Sequence, residues 1–254
     1  MKLFFDHICG KQADTDFIHM LVSATVDKGE EQEALDNGWC PSNIWYKQDT
    51  DFMRDNKIVW YQSRQSRINL SKYSVTSTEK KARKKITKNN VKINITQNPD
   101  FKKLYKIYLN YINHKNFSDM MSEKEFMESY DNDTDFFILY DDCAFSVVEP
   151  VGESLISHQF CWDYKNPVLG LGRYSTYEEI NLTEKMGLKY LYLGPSYETH
   201  AKYKSSFQGF EFWTGRKWCD DESKYFDLLD QDEKIESVSE LNNSYDSFFD
   251  SFSV

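Results

Sequence analysis

The sequence has no apolar run close to the roughly 20 residues that cross a bilayer. Met1 to Cys9 lacks the basic start and cleavage site of a signal peptide. The expectation is therefore a soluble, cytoplasmic protein with no membrane partner. Cysteine is sparse, with five residues (Cys9, Cys40, Cys143, Cys161 and Cys219), and no two stand at a C-x-x-C spacing. That argues against a disulfide framework and a thiolate zinc site, so no metal is expected. Histidine is also scarce, at 5 residues, which leaves few groups that titrate near neutrality.

Aromatic residues are abundant. With 17 Tyr and 18 Phe among 254 residues, the chain can fill one large core or two small ones, and can offer rings to flat ligands. Net charge is -10, but its distribution is uneven. Asp220 to Val254 carries eleven acids against two bases, which leaves 29 bases against 30 acids in the rest. Within that near-neutral body, Arg54 to Lys92 holds twelve bases against Asp55 and Glu79. A basic block on an acidic chain is what a localised phosphate-binding face would look like; a solvated helix face is the other reading.

Periodicity places the elements. Glu30 to Asn37 reads as a short helix stopped by Gly38, and 43–47 and 57–63 as strands. The first segment, to Lys28, shows no clean period. Thr76 stands three residues before Glu79, the capping-box spacing, and opens a helix to about Asn89 with almost no apolar face. Helical spacing puts Lys80 with Lys84, and Lys81 with Lys85, on shared faces. Val91 to Ile95 alternates as a strand. Asp100 to Asn113 is a helix by its apolar stripe, and Ser122 with Glu125 starts another. Strands follow at 136–140, 144–149 and 154–162, then a helix from Tyr174 to Met186 and a strand at 190–193. The acidic segment after Asp220 is expected to be flexible. The predicted class is α+β: a mixed, mostly antiparallel sheet flanked by helices. Three regions are expected: 1–95 with the basic helix, a transferase core at 96–219, and an acidic tail at 220–254.

Two blocks narrow this further. The first is Arg64-Gln65-Ser66-Arg67-Ile68-Asn69-Leu70-Ser71-Lys72-Tyr73, followed by Thr76, Thr78, Lys80, Lys81, Arg83, Lys84 and Lys85. The second is Leu169-Gly170-Leu171-Gly172-Arg173-Tyr174-Ser175, then Tyr190-Leu191-Tyr192-Leu193-Gly194-Pro195, then Lys202-Tyr203-Lys204. Together with Gly38-Trp39 through Tyr46, they resemble the aminoacyl-tRNA–protein transferases of the N-end rule (arginyl- and leucyl-tRNA–protein transferases). The resemblance runs over about 35 to 219. It implies the acyl-CoA N-acyltransferase (GNAT)-like fold and transfer of an amino acid, arginine or leucine, from aminoacyl-tRNA to the N-terminal amine of an acceptor protein or peptide, with no cofactor. The family's N-terminal cysteine motif is missing here, and Gly194-Pro195 replaces the usual Gly-Tyr.

On that resemblance, Arg64, Arg67, Lys80, Lys81, Arg83, Lys84 and Lys85 are expected to contact tRNA phosphates. Tyr174, Ser175, Glu178, Tyr197 and His200 are the candidates for the chemistry. Ser175 either caps its helix or faces the acyl group. Tyr192, Lys202, Tyr203 and Lys204 are the candidates for holding substrate. Two other functions remain open: an acetyl-CoA-dependent N-acetyltransferase of the GNAT type, and a non-catalytic RNA- or protein-binding relic of the fold. Against the first, Gly170-Leu171-Gly172-Arg173 lacks the spacing of a pyrophosphate loop. The sequence fixes neither the oligomeric state nor the acceptor.

Overall fold

The computed structural model describes residues 2–12, 15–41, 53–54, 57–62, 64–117, 120–130, 134–196, 199–232 and 234. Along the chain run β1 (Lys2–Gln12), β2 (Thr15–Thr25), α1 (Glu31–Asp36), β3 (Trp39–Pro41), β4 (Met53–Arg54), β5 (Lys57–Gln62) and β6 (Gln65–Asn69). Next come α2 (Ser77–Lys88), β7 (Ile93–Thr96), α3 (Phe101–Lys115), α4 (Glu123–Ser129), β8 (Phe136–Tyr140), β9 (Ala144–Val151) and β10 (Ser154–Trp162). The last are α5 (Leu171–Lys185), β11 (Tyr190–Pro195), β12 (Phe210–Trp213), β13 (Trp218–Cys219) and α6 (Glu222–Asp232). The chain divides into two compact units, residues 68–192 and residues 1–67 with 193–254.

In the unit of residues 68–192 the strands are ordered β11, β10, β9, β8, β7. The β7/β8, β8/β9 and β9/β10 pairs are antiparallel. β10 and β11 pair in parallel, Ser154↔Tyr190 to Ile156↔Tyr192, and the helical crossover such a pair requires is α5. The adjacency expected of the strands near 136–140, 144–149, 154–162 and 190–193 is what forms. Aromatic residues fill this core. Phe126 lies 5.1 Å from Tyr108 and 4.7 Å from Tyr130, ring to ring, and all three are buried. α4 begins with a complete capping box: the Ser122 hydroxyl accepts from the Glu125 N–H and the Glu125 carboxylate accepts from the Ser122 N–H.

In the other unit β1, β2, β5 and β3 form a sheet in that order, and β4 pairs with β5. The β1/β2 hairpin runs from Lys2↔Thr25 to Gln12↔Thr15 and was not evident in the period of the sequence. The strand expected at 43–47 lies outside the described residues. Gly38 has φ +78°, and a Cβ there would sit 2.5 Å from the Trp213 ring, so the close approach of that indole requires glycine. The Arg67 guanidinium donates to Glu211 at 2.8 Å and lies 4.0 Å over the Trp218 ring. Residues 222–232, expected to be flexible, are a helix instead. Tyr225 and Leu229, one turn apart, are both fully buried, and the Tyr225 hydroxyl donates to the Ala201 carbonyl at 3.2 Å. An acid-rich composition hid that short apolar stripe.

Candidate active site

The basic helix α2 is built from its first turn. Thr76 is the N-cap, its hydroxyl accepting from the Glu79 N–H at 3.1 Å. The Glu79 carboxylate does not complete a capping box. It turns inward, 1% exposed, to accept from the Tyr73 hydroxyl and from Arg83 Nε at 2.8 Å. Arg83 then reaches across to α5. Its Nη1 donates to Glu178 at 2.8 Å and its Nη2 to the Tyr177 carbonyl at 3.1 Å. Glu178 also accepts from the Tyr174 hydroxyl at 2.5 Å and from Asn181 at 3.2 Å. One guanidinium therefore bridges two carboxylates, and two tyrosines close the chain at either end.

Burial works against the Arg83 charge, but the hydrogen bond to Glu79 and the field of Glu178 outweigh it and raise its pKa. Burial first, and then the bond to Glu178, push the Tyr174 phenol well above its ordinary range, so it stays protonated and a donor. With Arg83 turned inward, Lys80, Lys81, Lys84 and Lys85 stand exposed and form no ion pair among the described residues. Lys85 Nζ lies 4.0 Å from where a Cβ on Gly170 would be. Gly170, at φ +66°, is the N-cap of α5 and supplies no side-chain cap, so the ammonium stands at the positive end of the α5 dipole.

α5 starts at Leu171, earlier than the expected Tyr174, so Ser175 is not its cap. The Ser175 hydroxyl donates to the Gly172 carbonyl at 3.1 Å and the residue is 2% exposed. Tyr174, Ser175, Glu178 and the α2 bases thus gather in one unit, where Tyr192 also lies, 1% exposed in the core. The remaining expected residues belong to the other unit. There Arg67 is 6% exposed and held by Glu211, Asp36 and Trp218. The Arg64 carbonyl accepts from the Ser196 N–H. Lys202 pairs with Asp230 at 2.6 Å, and Tyr203 is exposed beside Phe207. The Lys204 ammonium is buried and donates to the Leu193 and Pro195 carbonyls at 2.9 and 2.8 Å; burial lowers its pKa to about 8. Tyr197 and the His200 side chain lie outside the described residues.

Sequence reasoning missed Glu179. It is 2% exposed, and burial raises its carboxyl to about 7 against the opposing hydrogen bonds of Ser146 and Ser157. Its neighbours on α5 offered a signal: Ser175, Glu179 and Thr183 follow at intervals of four, a polar stripe on a buried face.

In residues 68–192, a mostly antiparallel sheet whose β10/β11 pair is parallel, joined by a helix that starts at a glycine, with a basic helix keyed to that helix through an arginine, makes an α+β fold of a sheet flanked by helices. Residues 101–214 match the family described as "Arginine-tRNA-protein transferase, C terminus", and over that segment the chain is similar to it. No curated protein matches the sequence. Solved structures similar to the chain include L-PGS from Bacillus licheniformis, at 11% identity and TM-score 0.41 over 68% of this chain and 52% of that one. The chain thus spans about half the length of that protein. The C-terminal domain of a putative lysylphosphatidylglycerol synthetase from Agrobacterium fabrum is 9% identical, TM-score 0.42, over 77% and 69% of the two chains. FemX is 7% identical, TM-score 0.42, over 77% and 80%. No helix among the described residues is long and apolar enough to cross a membrane.

Proposed function

We propose that this chain transfers an amino acid, arginine or leucine, from aminoacyl-tRNA to the N-terminal α-amine of an acceptor protein or peptide, as an N-end-rule modification in the cytoplasm. The observation that carries the reading is the exposed row Lys80, Lys81, Lys84 and Lys85, keyed by Arg83 to α5, which lies in the segment similar to the arginine-tRNA-protein transferases. The donor ester is already activated. A neutral amine attacks its carbonyl carbon, the N–C bond forms, and the C–O bond to the terminal ribose breaks. The amine's proton leaves to a base, and the ribose oxygen takes one up. Positioning, a proton acceptor and oxyanion stabilisation suffice, and no step calls for a cofactor.

In this reading the four lysines bind phosphates of the acceptor arm, which gives affinity without base readout. Lys85 and the uncapped start of α5 favour a phosphate together. Arg83 and Arg67 are positioning residues, since carboxylates already occupy them. Tyr174 and Glu178 serve the reacting groups. Ser175 and Tyr192 act through packing, and Lys204 through the two carbonyls it holds. Arg64, Tyr197, His200, Lys202 and Tyr203 remain the candidates for further donor and acceptor contacts.

The test is tRNA binding at several salt concentrations. Lys80→Gln, Lys81→Gln and Lys84→Gln together should weaken binding at low salt and flatten the log–log salt slope by about 2 to 3 units, at 0.7 to 0.9 per phosphate contact. Folding should scarcely change, because each exposed substitution falls within about 0.5 kcal/mol. Equal affinities and parallel slopes would remove α2 from the donor site. Binding of acetyl-CoA with none of tRNA would favour an N-acetyltransferase.

A further inference from the structure

On the sheet of the same unit, three strands bring together a different donor set. Asp135 directly precedes β8, and the register Phe136↔Val148 continues so that Asp135 stands opposite Glu149 of β9. In β10 the register steps from Ser157↔Val148 to Gln159↔Val147, which leaves His158 as the extra residue of a β-bulge. Bulges re-aim a side chain. Here the imidazole meets Glu149, Nε2 to Oε2 at 2.8 Å, while the other Glu149 oxygen accepts from the Thr134 hydroxyl at 3.0 Å. One ligand atom each from Asp135, Glu149 and His158 lies within 4.8 Å of the others.

We propose that Asp135, Glu149 and His158 bind a divalent transition-metal ion, Zn²⁺ by preference. Two carboxylates brought side by side, with Asp135 only 1% exposed, repel one another, and a divalent cation between them removes that cost. One imidazole nitrogen with two carboxylate oxygens is a borderline-to-hard set that suits zinc, at bond lengths of about 2.0–2.2 Å. Thr134 supplies the outer hydrogen bond that orients a ligating carboxylate. Glu149 keeps its side chain 23% exposed, which gives the ion and its remaining water ligands an approach. Nε2 would ligate the ion through its lone pair, in place of its contact with the Glu149 carboxylate. Because the ligands come from β8, β9 and β10, binding ties three neighbouring strands. The site is of a kind that cysteine spacing cannot reveal, and it stands independently of the transferase reading.

The test uses the full chain stripped with a chelator and titrated with Zn²⁺ and Co²⁺. Calorimetry should give one equivalent of tight binding, and the ion should raise Tm. His158→Gln and Asp135→Asn should each weaken binding by more than about 100-fold, and Thr134→Val by about 10-fold to 100-fold. X-ray absorption of the wild-type complex needs no variant, and should show one imidazole and otherwise oxygen around the metal. No saturable binding, unchanged affinity in His158→Gln, or sulfur in the metal's shell would each overturn the proposal.

Discussion

Glu179 faces Ser146 and Ser157 from strands β9 and β10, with the Tyr140 hydroxyl 3.4 Å from Ser146 and Glu178 as its neighbour on α5. Its folded pKa of about 7 lies above the ordinary 4.5. Below pH 4.5 the carboxyl is protonated whether folded or not, and contributes no pH dependence. Between 4.5 and 7 the folded state holds a proton that the unfolded state has lost, so rising pH costs stability until the folded group also ionises. At 1.36 kcal/mol per unit the cost is about 3 kcal/mol, fully present above pH 7. Glu179→Gln should therefore flatten the decline in stability between pH 4.5 and 7 in chemical denaturation. A variant whose pH profile matches wild type would show that Glu179 ionises freely. The sequence pointed to Glu178 through its neighbours Tyr174 and Ser175, and passed over the acid beside it. Adjacent helical residues point about 100° apart, so which acid is covered is decided by β9 and β10, elements far away in sequence. Ser175 shows the same limit: its role as a cap depended on where α5 begins, and Gly170 moves that start upstream.

At the scale of elements, α2 was legible from Thr76, Glu79 and its run of bases, whereas its docking was not. A bridge from Arg83 to Glu178 spans 95 residues, and nothing local distinguishes Arg83 from the lysines around it. Arg83→Met should leave Glu79 and Glu178 facing each other without their cation. Removing one partner of a buried pair costs about 3–5 kcal/mol; with the Arg83 side chain 34% exposed, about 1–3 kcal/mol is expected. Adding Glu178→Gln should restore part of it, and a strictly additive double-mutant cycle would mean that the bridge carries no coupling. The hairpin β1/β2 escaped the sequence because polar and apolar residues there do not alternate cleanly along the chain. α6 escaped because its acids outnumber its anchors. Tyr225→Ala should cost about 3–5 kcal/mol as a fully buried aromatic truncation. The expectation that the segment after Asp220 is flexible is thus revised for residues 222–232, and cutting the chain at Asp220 should lower Tm. An unchanged Tm would show that α6 contributes no packing.

For the whole molecule, the order of strands in residues 68–192 followed from patterns of two and 3.6 residues and from short connections, which constrain neighbours strongly. The division into units did not, because β6 and β11 each carry residues of both, and a strand's period says nothing of where a contact boundary falls. The candidate site was partly legible: bases, tyrosines and Glu178 were marked by the family resemblance, while the inward turn of Glu79 toward Arg83 was not. Aminoacyl transfer from tRNA shows itself in the mass of an acceptor peptide. The protein is incubated with tRNA charged with arginine or leucine and with peptides of varied N-terminal residue. The expected product is a peptide heavier by one amino-acid residue at its N-terminus, formed with charged tRNA and absent when the peptide's α-amine is blocked. Peptide masses that stay unchanged with every charged tRNA, in a protein that is folded and binds tRNA, would contradict it.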